Sequence, residues 1–217
     1  MRSFMFKIVA TAAVLAALPV SAGAAITLGS VTPGTSTYSG PPATFDFDSL
    51  TPAPVDGGLV TSISVPGVSA QPFGSAGNFW TVGPTDGSPG TLDLSAFGTI
   101  SNLSFIWGSI DAYNTLEFID ENGAALAAFT GSQIFNPANG NQTDPNLNPV
   151  VRFNITGVDQ TKVKGVRLSS TSNAFETDNF AVNAVPEPAT WALMLLGFGM
   201  VGFGMRRRSG FTAPRFA

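Results

Sequence analysis

Between Ala25 and Val185 the apolar residues come in short runs, each closed by a turn rich in Gly, Pro, Asn or Asp. No stretch of about ten residues in this region carries the i, i+3, i+4 spacing of an amphipathic helix. That cadence leaves strands as the elements the body can build. Ala43–Asp48 alternates Phe45 and Phe47 with Asp46 and Asp48, the two-residue period of a half-buried strand. Gly58–Val65, Asn78–Val82, Thr91–Leu94, Leu103–Trp107, Thr115–Ile119, Val150–Ile155, Lys162–Ser169 and Asn179–Val185 read the same way. Asp120-Glu121-Asn122-Gly123 predicts a hairpin turn, because Asn-Gly tolerates positive φ. Ala124–Phe129 is the returning strand, although its alanines also suit a short helix. The plainest loops are Gly83–Gly90 and Asn136–Pro149. Short strands separated by such turns predict an all-β body, a β-sandwich or jelly roll. Its 12 phenylalanines and two tryptophans argue for a packed core and against a disordered chain.

The two ends read differently. Met1–Ala24 has Arg2 and Lys7 near its start, an apolar Ile8–Leu18, then Pro19 and the small residues Ala22-Gly23-Ala24. This is the pattern of an export signal cleaved before Ala25, with cleavage after Ala22 as the near alternative. At the other end, Pro186-Glu187-Pro188 precedes Ala189–Met205, 17 residues without a charge, and then Arg206-Arg207-Arg208. At about 1.5 Å per residue a helix over that run spans roughly 25 Å, near the lower limit for crossing a bilayer. Trp191 at one end and the arginines at the other match interfacial and cytoplasmic positions. The chain therefore divides into a signal peptide (1–24), an extracytoplasmic β-sandwich domain (25–185), a sorting segment (186–208) with a short transmembrane helix over 189–205, and a cytoplasmic tail (209–217). The expected course from these two ends is export, then anchoring in the inner membrane with the body outside the cytoplasm.

Pro186, Glu187, Pro188, Trp191, Ala192, the glycine-containing apolar run and Arg206, Arg207 and Arg208 together resemble the PEP-CTERM sorting signal in its PEPxxWA form. The resemblance implies an exosortase as partner, recognition around Pro186–Pro188, and removal of the apolar segment and basic tail, so that anchoring in the inner membrane is transient and the body passes to the cell surface or extracellular matrix. It also implies prior handling by the export machinery and signal peptidase. The tail Ser209–Ala217 is longer than such signals usually carry. In the body, Asn78–Gly83, Phe105–Phe118, Phe129–Gly131, Asn139–Thr143 and Ser169–Val182 resemble a family of exosortase-dependent surface proteins. That second resemblance implies surface location and an all-β body, and no activity.

Composition removes several chemistries. There is no cysteine and no histidine, so disulfides, thiolate nucleophiles, Ser-His-Asp triads and the usual zinc sites are excluded. Within residues 25–185, four basic residues stand against 13 acidic ones, a balance of −9. So little positive charge argues against nucleic acid as a partner. The four cations fall between Arg152 and Arg167, where alternation along strands disperses them over different faces.

Three sets of residues remain as candidates. Trp80, Trp107 and Tyr113 offer an aromatic platform for a polysaccharide, with Asp111 and Asn114 supplying directional hydrogen bonds. Glu176, Asp178 and Asn179, joined by Asp111 or Glu117 from another strand, offer oxygen ligands to Ca²⁺, although no DxDxDG-type loop is present. Asp111 with Glu176 or Asp178 supplies the paired carboxylates a glycosidase needs, at a separation the sequence does not give. Each has a plainer role in a core, a turn or a solvated face. The expected reading is a non-enzymatic structural or adhesive surface protein without a required cofactor. A carbohydrate-binding module acting in exopolysaccharide is the alternative, and a polysaccharide-active hydrolase comes last.

Overall fold

The structure, a computed structural model, describes residues 25–49, 54–185 and 188–208. The expected signal peptide, the sorting residues Pro186 and Glu187 and the expected tail 209–217 lie outside the described residues.

The body is two antiparallel sheets packed face to face. The strands are β1 (Ala25–Thr32), β2 (Val55–Asp56), β3 (Leu59–Thr61), β4 (Phe79–Val82), β5 (Gly90–Asp93) and β6 (Ile100–Gly108), then β7 (Asn114–Ile119), β8 (Ala125–Thr130), β9 (Val150–Thr156), β10 (Gly165–Ser170) and β11 (Phe175–Ala184). One sheet has the order β1-β9-β6-β11-β4-β3 and the other β2-β5-β10-β7-β8. Two four-residue helices, α1 (Gly131–Ile134) and α2 (Asp159–Lys162), interrupt the connections, and α3 (Pro188–Arg208) follows the body. The expected all-β sandwich is therefore what forms.

Alternation along the strands places the core. Leu103, Phe105 and Trp107 of β6 and Val151, Phe153 and Ile155 of β9 turn inward from one sheet. Leu116 and Phe118 of β7 and Val166 and Leu168 of β10 meet them from the other. Phe118 crosses the gap to Phe153 with ring centroids 5.3 Å apart, and Phe129 of β8 reaches the same ring at 4.7 Å. Trp107 stacks on Phe175 at 4.3 Å and Phe105 on Phe180 at 4.6 Å. The Asp120–Gly123 turn closes as expected: Asp120 N–H donates to the Ala124 carbonyl, and Asp120 Oδ1 accepts from Asn122 and Ala124 N–H. The alanine-rich return is strand β8, not helix.

Three elements differ from expectation. Ala43–Asp48 alternates like a strand but forms only an isolated bridge between Phe45 and Phe180. Phe47 adopts a φ of +60°, which turns the chain and carries both phenylalanines toward the core on one short segment. Lys162 belongs to α2 rather than to the following strand, which starts at Gly165.

The third difference concerns the C-terminus. Among the described residues no helix is long and apolar enough to cross a membrane. The expected transmembrane helix over 189–205, and with it transient anchoring in the inner membrane, is corrected on that ground. Within α3 the expected span Ala189–Met205 is 17 residues, four of them glycine. At about 25 Å it falls short of a hydrocarbon core of about 30 Å, and the glycines dilute its hydropathy. Trp191 is 55% exposed, and Leu193, Leu195, Phe198 and Phe203 are also exposed, so α3 is not folded into the body's core either.

Candidate functional site

A polar cleft opens where the C-terminal end of β6 meets the start of β11. β6 ends at Gly108, opposite Glu176 of β11, and the chain then turns through Ser109, at a φ of +37°, toward β7. Asp111 and Asn139 form an isolated bridge, and Gly140 N–H donates to the Ile110 carbonyl at 3.0 Å, drawing the long polar loop against this turn. Gly67, Val68 and Ser69 line the cleft on another side, and Ala70 next to them donates its N–H to Glu176. The resulting cavity is about 180 Å³, lined by Ser109, Asp111, Tyr113, Asn139, Asn173 and Glu176 among others.

The acidic groups of the cleft are held by the protein itself. Glu176 is 2% exposed; its Oε1 accepts the Ala70 N–H at 3.0 Å and its Oε2 accepts the Ser109 hydroxyl. Burial pushes its carboxyl up to about 8, against the lowering effect of those two hydrogen bonds. Asp111 is also raised by burial, partly offset by Tyr113, whose hydroxyl lies 2.7 Å from Asp111 Oδ2. The same phenol oxygen is 2.9 Å from the Asn173 carbonyl, so its single proton serves one of two acceptors. Burial first, then the Asp111 hydrogen bond and charge, raise the Tyr113 phenol. Tyr113 thus ties the β6–β7 turn to the loop before β11.

The predicted glycan-binding set does not assemble. Trp80 and Trp107 are fully buried, which takes both out of reach of a sugar. Trp80 donates its indole N–H to the Gly57 carbonyl at 3.1 Å, and Trp107 sits between Phe105 and Phe175. Asn114 is buried too, accepting from the Ser170 hydroxyl at 3.0 Å. Only Asp111 and Tyr113 reach the cleft.

The predicted calcium ligands divide. Glu176 and Asp178 lie two residues apart on β11, but Glu176 is engaged by Ala70 and Ser109. Asp178 accepts from the Asn179 backbone N–H at 2.7 Å and from its side-chain amide at 3.0 Å. Burial pushes the Asp178 carboxyl up to about 7. Asn179, at a φ of +56°, is the bulge residue that shifts the β11 register between Asp178 and Ala181. Among the described residues no group of three or more His, Cys, Asp or Glu is placed to hold a metal ion. Of the carboxylates paired in sequence for glycoside hydrolysis, Asp111 and Glu176 line the same cleft and Asp178 does not.

Sequence reading passed over two residues that build the cleft. Ser109 carries the hydroxyl that Glu176 accepts. Asn148 is a buried hub: its Oδ1 accepts from Phe73 and Ser109 N–H at 3.1 and 2.9 Å, and its amide donates to the Asn141 and Asp144 carbonyls. A lone Asn in an Asn-rich loop gives no sequence signal for that role.

Among the sorting residues, Pro188, Trp191, Arg206, Arg207 and Arg208 lie on α3, with Trp191 and Arg206 exposed. Residues 184–208 match the PEP-CTERM protein-sorting motif. Comparison with curated proteins and with solved structures returned no match.

Proposed function

From the premise that this chain carries a PEP-CTERM protein-sorting motif at its C-terminal end, and is thereby an exported, exosortase-processed surface protein, we propose that the body serves a structural or adhesive role and performs no catalysis. Export through signal peptidase, with Met1–Ala24 as the leader, belongs to the same reading.

The observation that carries it is the state of the cleft's polar groups. Both oxygens of Glu176 accept from Ala70 and Ser109, and Asp111 meets Tyr113, so these side chains join loops to strands rather than face a substrate. The cleft is small, Trp80 and Trp107 are buried, and the Tyr113 hydroxyl is engaged by Asp111, which suits a rigid body displayed at a surface. A general acid would need its proton within reach of a substrate oxygen.

The test compares cells producing the native chain with cells producing Asp111→Asn or Glu176→Gln, in a cell-aggregation assay and in polysaccharide-degradation assays. The expected result is unchanged aggregation and no degradation by any of the three chains. Degradation by the native chain that is lost in both variants would overturn the reading.

A further inference from the structure

The first sheet carries a second polar pocket on its outer face, and it shares no lining residue with the cleft. Ser30 of β1 stands opposite Arg152 of β9, and Arg152 stands opposite Ser104 of β6. Residues opposite one another on neighbouring antiparallel strands project from the same face, with Cβ atoms about 4.5–5.5 Å apart. The three therefore form one row across three strands. Thr32 and Val150, paired in the same way two residues along, form the next row. Ser39, Gly40 and Pro41 wall the pocket, whose volume of about 360 Å³ falls within the range of about 300–1,000 Å³ typical of small-ligand sites.

The wall is held in place. The Tyr38 hydroxyl donates to the Pro41 carbonyl at 2.6 Å, and the Thr35 hydroxyl, which donates to the Thr37 carbonyl, lies 3.1 Å from Ser39 Oγ and can accept its proton. A site fixed before its ligand arrives loses less entropy on binding.

Three features indicate what the pocket takes. Arg152 is a guanidinium with no ion-pair partner among the described residues, whereas Arg167 is paired with Glu117 at 2.7 Å. Among the described residues no Asp or Glu lines the pocket, in a body whose balance is −9. Ser104 is 1% exposed, lines the pocket, and its hydroxyl has no hydrogen-bond partner among the described residues. A buried polar atom without a partner is costly, and a ligand oxygen at this position would satisfy it.

We propose that this pocket binds a carboxylate-bearing sugar unit, with the carboxylate on the Arg152 fork and the sugar hydroxyls on Ser30, Thr32, Ser39 and Ser104. The planar guanidinium matches a carboxylate bidentately, and the surrounding hydroxyls match a polyhydroxylated ring. Among the described residues no aromatic side chain lines the pocket, so stacking on a neutral sugar is not the recognition they offer. The negative body repels a densely charged polymer, which favours an isolated uronate in an otherwise neutral polysaccharide. The proposal rests on the adhesive reading and names what the body adheres to.

The test is calorimetric titration of the purified full chain with three probes. They are a glucuronate-substituted xylo-oligosaccharide, the unsubstituted oligosaccharide of equal length, and free glucuronate. The expected result is binding of the substituted oligosaccharide, at least tenfold weaker binding of the unsubstituted one, and intermediate or weaker binding of free glucuronate. Arg152→Gln weakens the first at least tenfold, Arg152→Lys less so, and Ser104→Ala several-fold, each with an unchanged melting temperature. Equal binding of substituted and unsubstituted probes overturns the proposal, as does native-like binding by a folded Arg152→Gln chain. Absence of binding to either glucuronate-bearing probe by folded native chain overturns it too. If binding is absent while cell aggregation is intact, the pocket fails and the adhesive role stands; if binding is intact while aggregation is unaffected by removal of the chain, the adhesive role fails.

Discussion

Burial holds the Glu176 carboxyl well above the usual carboxylate range. Its ordinary value is 4.5, and in the fold it is pushed up to about 8 by desolvation. Between about pH 4.5 and about pH 8 the folded chain holds a proton that the unfolded chain has released. Its contribution to stability is thus fully present below about pH 4.5 and falls as pH rises toward about 8. Asp178 acts in the same direction over a window that ends lower, at about 7. Glutamine is the neutral counterpart of the protonated carboxyl, accepting from Ala70 N–H and donating to Ser109. Glu176→Gln is therefore expected to be more stable than the native chain at pH 8, on the order of 1–3 kcal/mol, with little difference at pH 4.5. Urea denaturation at the two pH values checks this, and a native chain as stable at pH 8 as at pH 4.5 would show that Glu176 is not held protonated. Trp107 supplies a second test at this scale. It is fully buried against Phe105 and Phe175, so Trp107→Ala should cost about 3–5 kcal/mol in the same assay. A loss under about 1 kcal/mol would mean the indole is not a core anchor.

At the scale of elements, β11 organises the first sheet by breaking its own regularity. It pairs with β4 over Phe175–Thr177, then bulges at Asn179, so that Phe180 re-enters the core and exchanges backbone hydrogen bonds with Phe45. Without the bulge, alternation would put Phe180 on the face of Asp178. The left-handed backbone at Asn179 favours Asn or Gly and disfavours a β-branched side chain. Asn179→Val should accordingly cost about 1–3 kcal/mol, while Asn179→Gly stays within about 1 kcal/mol of the native chain. Thermal denaturation of both variants checks it, and equal melting temperatures would refute the bulge's backbone requirement. The period-2 pattern made most strands legible: Leu103–Trp107, Thr115–Ile119 and Val150–Ile155 sit inside β6, β7 and β9. It failed at Ala43–Asp48, because alternation reports which side chains seek the core and not whether a partner strand is present. Ala43–Asp48 meets β11 at its bulge, where one bridge, Phe45 to Phe180, forms.

For the whole molecule, the motif at residues 184–208 and the body are separate devices. The motif makes an exosortase the processing partner, and among the described residues the body's core includes none from α3, whose large apolar side chains from Trp191 to Met205 are exposed. Intact-mass measurement of the native mature chain should show loss of sequence after the Pro186–Pro188 region. Deletion of 186–208 should abolish that processing while leaving the body's melting temperature unchanged. Identical masses before and after maturation of the native chain would contradict processing at the motif. A large fall in melting temperature would contradict the body's independence from α3.

What the sequence determined by itself is local. Strand cadence, the Asp120–Gly123 turn and the motif at the C-terminal end depend on the order of neighbouring residues, and order is what a sequence records. Tertiary structure alone decided which polar residues meet. Asp111 and Glu176 are 65 positions apart and share a cleft, whereas Trp80 and Trp107, nominated for a surface, are drawn inside by the mutual burial of two sheets. Ser30, Ser104 and Arg152 carry no shared motif, and only strand register brings them into one row. Register is fixed by the burial of the opposite face of each strand, a property of paired sheets that no single segment contains.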